Sequence, residues 1–465
     1  MEPYIHKETL YLVDMNSLLK STDILNHDIW RLVASLQGVV NKKAKELQAL
    51  IYLLFDEEDS FWLDFMHKKG RMFSHAYSVQ KITTWEEYLR AFTPLLKALG
   101  VILWDPQVPA TSHLCATLCG IDGCIPVKYD PREGSLYHLL QLRGIPCDER
   151  LVGLFTGKGT VPGTTIPSSG SAKCDAYLWA LENLIDKTAP EIIAYMPDGA
   201  SCVEDNEVFK RDGSDGHISC LPNHDYLIAR GAFFFDLSPV EDEVPCDDPT
   251  QPLGADSRTM QAVLQRIYER NEGRITYDVG FIHWWLKYTR CHDFSRYTEN
   301  QVETLLNDRF SMHNIVMECD AAQPCWMTNA SVYHLYPQRD SYPNHKPKTI
   351  EAYDPNTVYL LAYIGDYDSS AWFKKKIFPL WEGKTDASRP MMWSFDGNLL
   401  DRSAPIFDYI YDNINENDYF TTGNSGCGNI NPSRLLQGNG GRTLPDGTEA
   451  WYTFCKRYYD KFHHD

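Results

Sequence analysis

The chain has 465 residues and a formal charge of −19, which is more than one hydrophobic core serves, since single cores stop growing near ~250–300 residues. A surface this acidic repels phosphate backbones and excludes nucleic acid as a partner. The longest apolar run, Ala49–Phe55, is far short of the ~20 residues a membrane span needs, so no membrane partner is expected.

Aromatic residues are 13% of the chain, with 12 Trp and 27 Tyr. They supply flat, amphipathic rings on which sugar faces stack, so carbohydrate is the expected ligand class. The opening "MEPYIHKETLYLV" lacks the apolar segment of a signal peptide. Thirteen cysteines are scattered without a paired framework. Both point to a reducing, cytoplasmic interior, with secretion as the alternative if a leader has been removed.

In chain order, Asn26–Gln48 reads as a helix with Ile29, Leu32, Val33 and Leu36 on one face, and Ala49–Phe55 as a buried strand. Thr84 and Glu87 form a capping box that opens a helix to Leu99. Pro94 is expected to kink it, Gly100 ends it, and Val101–Trp104 is the next strand. This alternation is that of an α/β fold. The loop-rich stretch Thr156–Lys173 lacks the Ser or Thr that a phosphate loop requires after Lys158. Ile192–Met196 closes the first region. An acidic, glycine-dotted linker follows, which divides the chain into an amino-terminal α/β domain, 1–205, and a carboxyl-terminal domain, 206–465.

The second region reads as a strand up to Asp236, a helix through Met260, Val263, Leu264 and Ile267, and strands in "RITYDVGFIHWW" and "MHNIVMECD". The last 110 residues alternate strand and helix: Thr357–Ile364, Ser370–Leu380, Pro390–Phe395, a helix capped by Ser403, Asp418–Thr422 and a helix near Glu449–Phe462. Such crossovers make parallel strands, and a (β/α) barrel-like domain is expected.

Parallel α/β folds place their sites at the carboxyl ends of strands. The loops there are "ECDAAQPCW", "GDYDSSAW", "SFDGNLLDR", "IHWWLKY" and "GNSGCGNINPSR". Asp366 with Asp368, and Glu318 with Asp320, stand two apart and point the same way if the strand stays extended. Paired carboxylates suit acid and base work, so these four are the catalytic pool. Capping of the next helix is the competing role for either aspartate. Trp284, with His283, and Trp372 and Trp393 are stacking candidates. Ser425, Gly426, Gly428, Asn429 and Asn431 form a loop whose backbone N–H groups and amides suit sugar hydroxyls. His224-Asp225 and His292-Asp293 are candidate metal pairs without tight ligand spacing. No cofactor is required, and a divalent metal is the alternative.

The run "SGCGNINP" at Ser425–Pro432 resembles the signature of the GxGYxYP glycoside hydrolase family. "SLQGVVNK" (Ser35–Lys42), "GTTIPSSGSAK" (Gly163–Lys173), "AFFFDLSP" (Ala232–Pro239), "WWLKYT" (Trp284–Thr289), "NAS" (Asn329–Ser331) and "GDYDSSAW" (Gly365–Trp372) extend the likeness over nearly the full length. Gly426, Gly428 and Pro432 match the signature, whereas Asn429 and Asn431 stand where the family name has tyrosines. The resemblance implies hydrolysis of glycosidic bonds by paired carboxylates and adds Lys287 and Asn329 to the substrate-binding set. A metal-dependent carbohydrate deacetylase and a non-catalytic glycan-binding protein are the alternatives.

Overall fold

The computed structural model describes residues 9–73, 77–196, 222–245, 247–280, 297, 299–318, 327–345, 352, 354–360, 363–364, 369–384 and 390–464. The first half alternates β1 (Thr9–Asp14), α1 (Asn26–Lys42), β2 (Ala49–Leu54), α2 (Glu57–Lys68), β3 (Ser78–Ile82), α3 (Trp85–Leu99), β4 (Val101–Trp104), α4 (Thr111–Asp122), β5 (Ile125–Lys128), β6 (Cys147–Asp148), α5 (Ala172–Asn183) and β7 (Ile192–Tyr195). The second continues with α6 (His224–Arg230), β8 (Phe233–Phe235), α7 (Ala255–Arg270), β9 (Thr276–Asp278), α8 (Glu299–Ser311), β10 (Ile315–Met317) and α9 (Ala330–Leu335). It ends with β11 (Tyr363–Ile364), β12 (Met391–Phe395), α10 (Leu400–Asp412), β13 (Asp418–Thr422) and α11 (Thr448–Phe462).

Local chemistry sets these boundaries. Thr84 Oγ1 accepts from the Glu87 N–H and the Glu87 carboxylate accepts from the Thr84 N–H, completing the expected capping box. Gly100, at φ +73°, stops α3. Ser403 breaks the helical backbone at φ −137°, so α10 is two helical pieces with Pro405 in the first turn of the second. Of the expected strand Thr357–Ile364, only Tyr363–Ile364 is strand among the described residues. Val358 and Leu360 upstream are exposed, so that apolar run was mistaken for a strand covered on both faces.

All the paired strands run parallel, in sheets ordered β2-β1-β3, β5-β4-β6, β10-β9-β7-β8 and β11-β12-β13. The described strands do not bear out the barrel expectation. A (β/α) barrel places consecutive strands side by side around a closed ring. Here β7 lies between β8 and β9, and the described strands form open sheets. Local alternation of strand and helix is the same for both arrangements, so periodicity could not separate them. The order 8-7-9-10 makes β7 and β9 the strands from which the chain departs in opposite directions, and such a switch point opens a crevice at the carboxyl ends. The sheet also straddles residue 205, since β7 precedes it and its two neighbours follow.

One core cluster runs from Leu10 to Phe462 and joins the two ends of the chain. Phe61 of α2 packs on Phe378 at 4.6 Å, and Trp62 on Tyr409 of α10 at 5.7 Å. Beneath them the fully buried Lys374 and Asp59 form an ion pair. Asp59 also accepts from the Phe55 and Asp56 N–H groups, so its charge is satisfied without water.

Candidate functional site

In the second half of the chain, four acids stand directly after, or at the end of, parallel strands: Asp236 after β8, Asp278 ending β9, Glu318 after β10 and Asp396 after β12. All are buried. Asp278 clamps the neighbouring strand: its Oδ1 accepts from the Tyr195 N–H at 2.8 Å, and its carbonyl from the Glu318 N–H at 3.1 Å. Asp236 donates its N–H to Tyr177 Oη, which lies 2.7 Å from His113 Nδ1.

Glu318 has the richest surroundings. Its Oε2 is 3.0 Å from Nη2 of Arg402, itself fully buried, and its Oε1 accepts from the Asn398 amide. Asn398 also donates to the Cys427 carbonyl at 2.7 Å. The glycine loop therefore reaches Glu318 through one shared amide. Its backbone extends the sheet as well, since Asn429 exchanges two hydrogen bonds with Met317, at 2.8 and 2.9 Å. On its other side, Asn424 Nδ2 donates to Asp396 Oδ2 at 2.9 Å. Burial pushes the Cys427 thiol well above its ordinary range, with Cys455 and then the charges of Asp396 and Glu318 adding to the rise. Two acids from two sheets thus converge on one loop.

The glycines are explained by packing. A Cβ on Gly428, at φ +122°, would lie 2.5 Å from Val316 Cγ2 and 3.1 Å from Glu318 Oε1. No other residue lets the loop approach the acid so closely.

The remaining sequence candidates separate. Ser425 donates to the Ile430 carbonyl at 2.5 Å. The Asn429 side chain accepts from Asn307, and Asn431 donates to Asp308 while capping the turn at Ser433. These side chains hold the loop's own shape. Trp393 is a core residue against Trp381, with its indole N–H on Asp418 at 3.2 Å, and it offers no face to a sugar. Trp372 is half-buried, after the helix cap Ser369. Asn329 is fully buried and bridges Leu53, accepting from its N–H at 2.7 Å and donating to its carbonyl at 2.9 Å. It therefore seals β2 in place of binding substrate. Asn329→Ala is expected to lower stability by about 2–3 kcal/mol through the orphaned Leu53 backbone with KM unchanged, as denaturant unfolding beside kinetics will show. Asp320, Asp366, Asp368, His283, Trp284 and Lys287 lie outside the described residues. Asp236, Asp278 and Asp396 were not in the expected pool, although each is an acid at the end of a β-prone run.

The His224-Asp225 pair is not a joint ligand set. His224 Nε2 meets Ser35 Oγ at 2.9 Å, whereas Asp225 accepts from the Ser331 N–H and hydroxyl. Among the described residues, no group of three or more His, Cys, Asp or Glu side chains is arranged to hold a metal, and the seven cysteines are free thiols. None of the described helices is long and apolar enough to cross a membrane. A pocket of about 360 Å³ lies at the amino ends of β7 and β9, lined by Glu191, Arg274, Glu449, Phe454 and Arg457 among others. It is at the opposite end of that sheet from the acids.

Burial, then the Arg31 charge, lowers His224 from 6.5 to about 3. A neutral buried ring is favourable above the unfolded value and becomes a liability below it. Stability is therefore expected to fall by about 1.4 kcal/mol per pH unit from this group between pH 6.5 and 3. Chemical denaturation across that range should show the slope, and His224→Gln should reduce it.

The amino- and carboxyl-terminal family models find their places on this frame. Residues 18–93 match the "GxGYxYP_N 1st domain" and residues 356–463 the "GxGYxYP putative glycoside hydrolase C-terminal domain". Both matches are to domains of the GxGYxYP family, which the chain resembles at its two ends. The carboxyl-terminal match contains β11 to β13, Asp396 and the whole glycine loop, while Glu318 lies between the two matched segments. No curated protein matches. Among solved structures, a "putative hydrolase" from Bacteroides thetaiotaomicron VPI-5482 superposes with a TM-score of 0.62 at 16% identity, over 98% of this chain and 69% of that one. That likeness extends the shared fold over both halves.

Proposed function

We propose that this protein hydrolyses glycosidic bonds with the carboxylates at the rim formed by β9, β10 and β12. The observation that carries the reading is the convergence of Glu318 and Asp396, from separate sheets, on the family's glycine loop. The family description supports the reaction class.

Glu318, beside the Arg402 guanidinium, is the carboxylate that stays charged and acts as base or nucleophile. Asp396, against the neutral Asn424 amide, donates the proton to the leaving oxygen. Asp278 adjoins Glu318 through the backbone and holds the rim's shape. Asp320, Asp366 and Asp368 follow β10 and β11 in sequence and complete the acid pool, with His283, Trp284, Lys287 and Trp372 as the proposed substrate-binding set. Since the described acids are buried, sugar entry requires the rim to open, as substrate-induced closures do in reverse.

The test is release of reducing ends from a panel of oligosaccharides and aryl glycosides, and of acetate from acetylated sugars, each with and without a chelator. Turnover that survives chelation supports the reading. Turnover that appears only on acetylated sugars and stops on chelation would replace it with the deacetylase.

A further inference from the structure

We infer that the protein carries a second site, for a small oxyanion presenting a carboxylate or a phosphate, at the carboxyl ends of β4 and β5, built from His27, Arg31, Lys128 and His224 around Trp104. Trp104 and Lys128 are the last residues of these paired strands and stand in register. The Arg31 guanidinium lies 5.6 Å and Lys128 Nζ 5.9 Å from the Trp104 ring centroid. Two cations thus share one aromatic platform.

Helix α1 supplies His27 and Arg31, and α6 supplies His224. His27, Arg31 and Ser35 are spaced four apart and so lie on one face. Ser35 Oγ meets His224 Nε2 at 2.9 Å, which fixes that ring against α1. The other ring nitrogen of His224, Nδ1, is buried with no hydrogen-bond partner, and His27 Nε2 is in the same condition. Orphaned buried ring nitrogens are rare in native proteins and call for a partner. The amino end of α1 adds its own partial positive charge, and Leu25 there provides no side-chain cap.

The neighbouring carboxylates are otherwise engaged. Asp105 accepts from the Gln107 and Gly153 N–H groups, both at 2.8 Å, and Asp130 holds Arg132. Asp28 and Arg31 have further contacts of their own. Burial, followed by the charges of Arg31, Lys128 and His224, pushes His27 well below its ordinary value. Both histidines are therefore neutral while the site is empty. A bound oxyanion reverses the balance, and the rings become cationic donors by taking up protons. The chemistry is that of charge-assisted hydrogen bonds to oxygen.

The site lies apart from Glu318 and Asp396 in sequence and in the sheets it uses, so it stands or falls independently of glycoside hydrolysis. The test is calorimetric titration of the intact protein with inorganic phosphate and, separately, with glucuronate, each in two buffers of different ionisation heat. Saturable binding of either anion with net proton uptake is expected, glucuronate alone indicating a sugar acid and phosphate alone a phosphate group. Lys128→Met keeps the stem on Trp104 and removes the charge. It should weaken binding about tenfold at unchanged melting temperature, and His27→Ala should weaken binding and reduce the proton uptake. Absence of saturable binding of both anions at about 1 mM, or wild-type affinity in both variants, overturns the site.

Discussion

Glu318→Gln is expected to cost about 3–5 kcal/mol of stability and to abolish turnover. The stability loss comes from Arg402, which is fully buried with Glu318 as its ion-pair partner at 3.0 Å. Removing one member of such a pair withdraws the attraction that offsets the burial of the other charge, while Arg402 keeps further contacts of its own. Turnover is expected to be lost for a separate reason, the removal of the proposed base or nucleophile. The two effects are separable. In the double variant Glu318→Gln/Arg402→Met neither charge remains, and replacing a buried pair by uncharged groups is often close to neutral. The double variant should therefore recover most of the stability in urea unfolding while releasing no reducing ends. Recovery of both would make Glu318 a purely structural residue.

Gly428→Ala is the second large effect. The new methyl would meet Val316 Cγ2 at 2.5 Å, from a backbone at φ +122°. Val316 is fully buried and, being β-branched, has little rotamer freedom with which to yield. Backbone strain and overpacking together are expected to cost about 2–5 kcal/mol. The displaced loop would carry the Asn398 and Glu318 contacts with it, lowering kcat by about tenfold or more. Gly426→Ala is the informative comparison. Its methyl meets Tyr459 Oη at 2.9 Å, the far end of a side chain that can swing away, so its cost should be smaller. Equal effects, or a wild-type melting temperature for Gly428→Ala, would refute the close approach.

Much of the fold was legible because its signals are local. The capping box at Thr84 and the stop at Gly100 each depend on a few adjacent residues, and each is in place; Ser403, expected as a cap, instead interrupts a helix that begins at Leu400. Strand order was not legible. Whether β8 pairs with β7 or β9 is decided by which helices cover which face, and apolar periodicity is the same in either case. The glycine loop was recognised as special, yet the reason lies in residues distant in sequence. Val316 and Glu318 crowd Gly428 from β10, about 110 positions earlier. Asn429 and Asn431 looked like ligands for hydroxyls because free amides suit that role; their partners Asn307 and Asp308 sit on α8. Asp396 was visible as an acid after a strand. Its rank above its neighbours emerged only when β12 placed it against the Asn424 amide.

The most direct test of the account is the rate of glycoside hydrolysis by Asp396→Asn, a substitution that keeps the size of the side chain, measured on protein whose melting temperature matches the parent. The account predicts a fall of about 10²–10⁴-fold, the usual contribution of a positioned proton donor, smallest on aryl glycosides whose leaving groups need little protonation. A rate within about twofold of the parent on every substrate would contradict it.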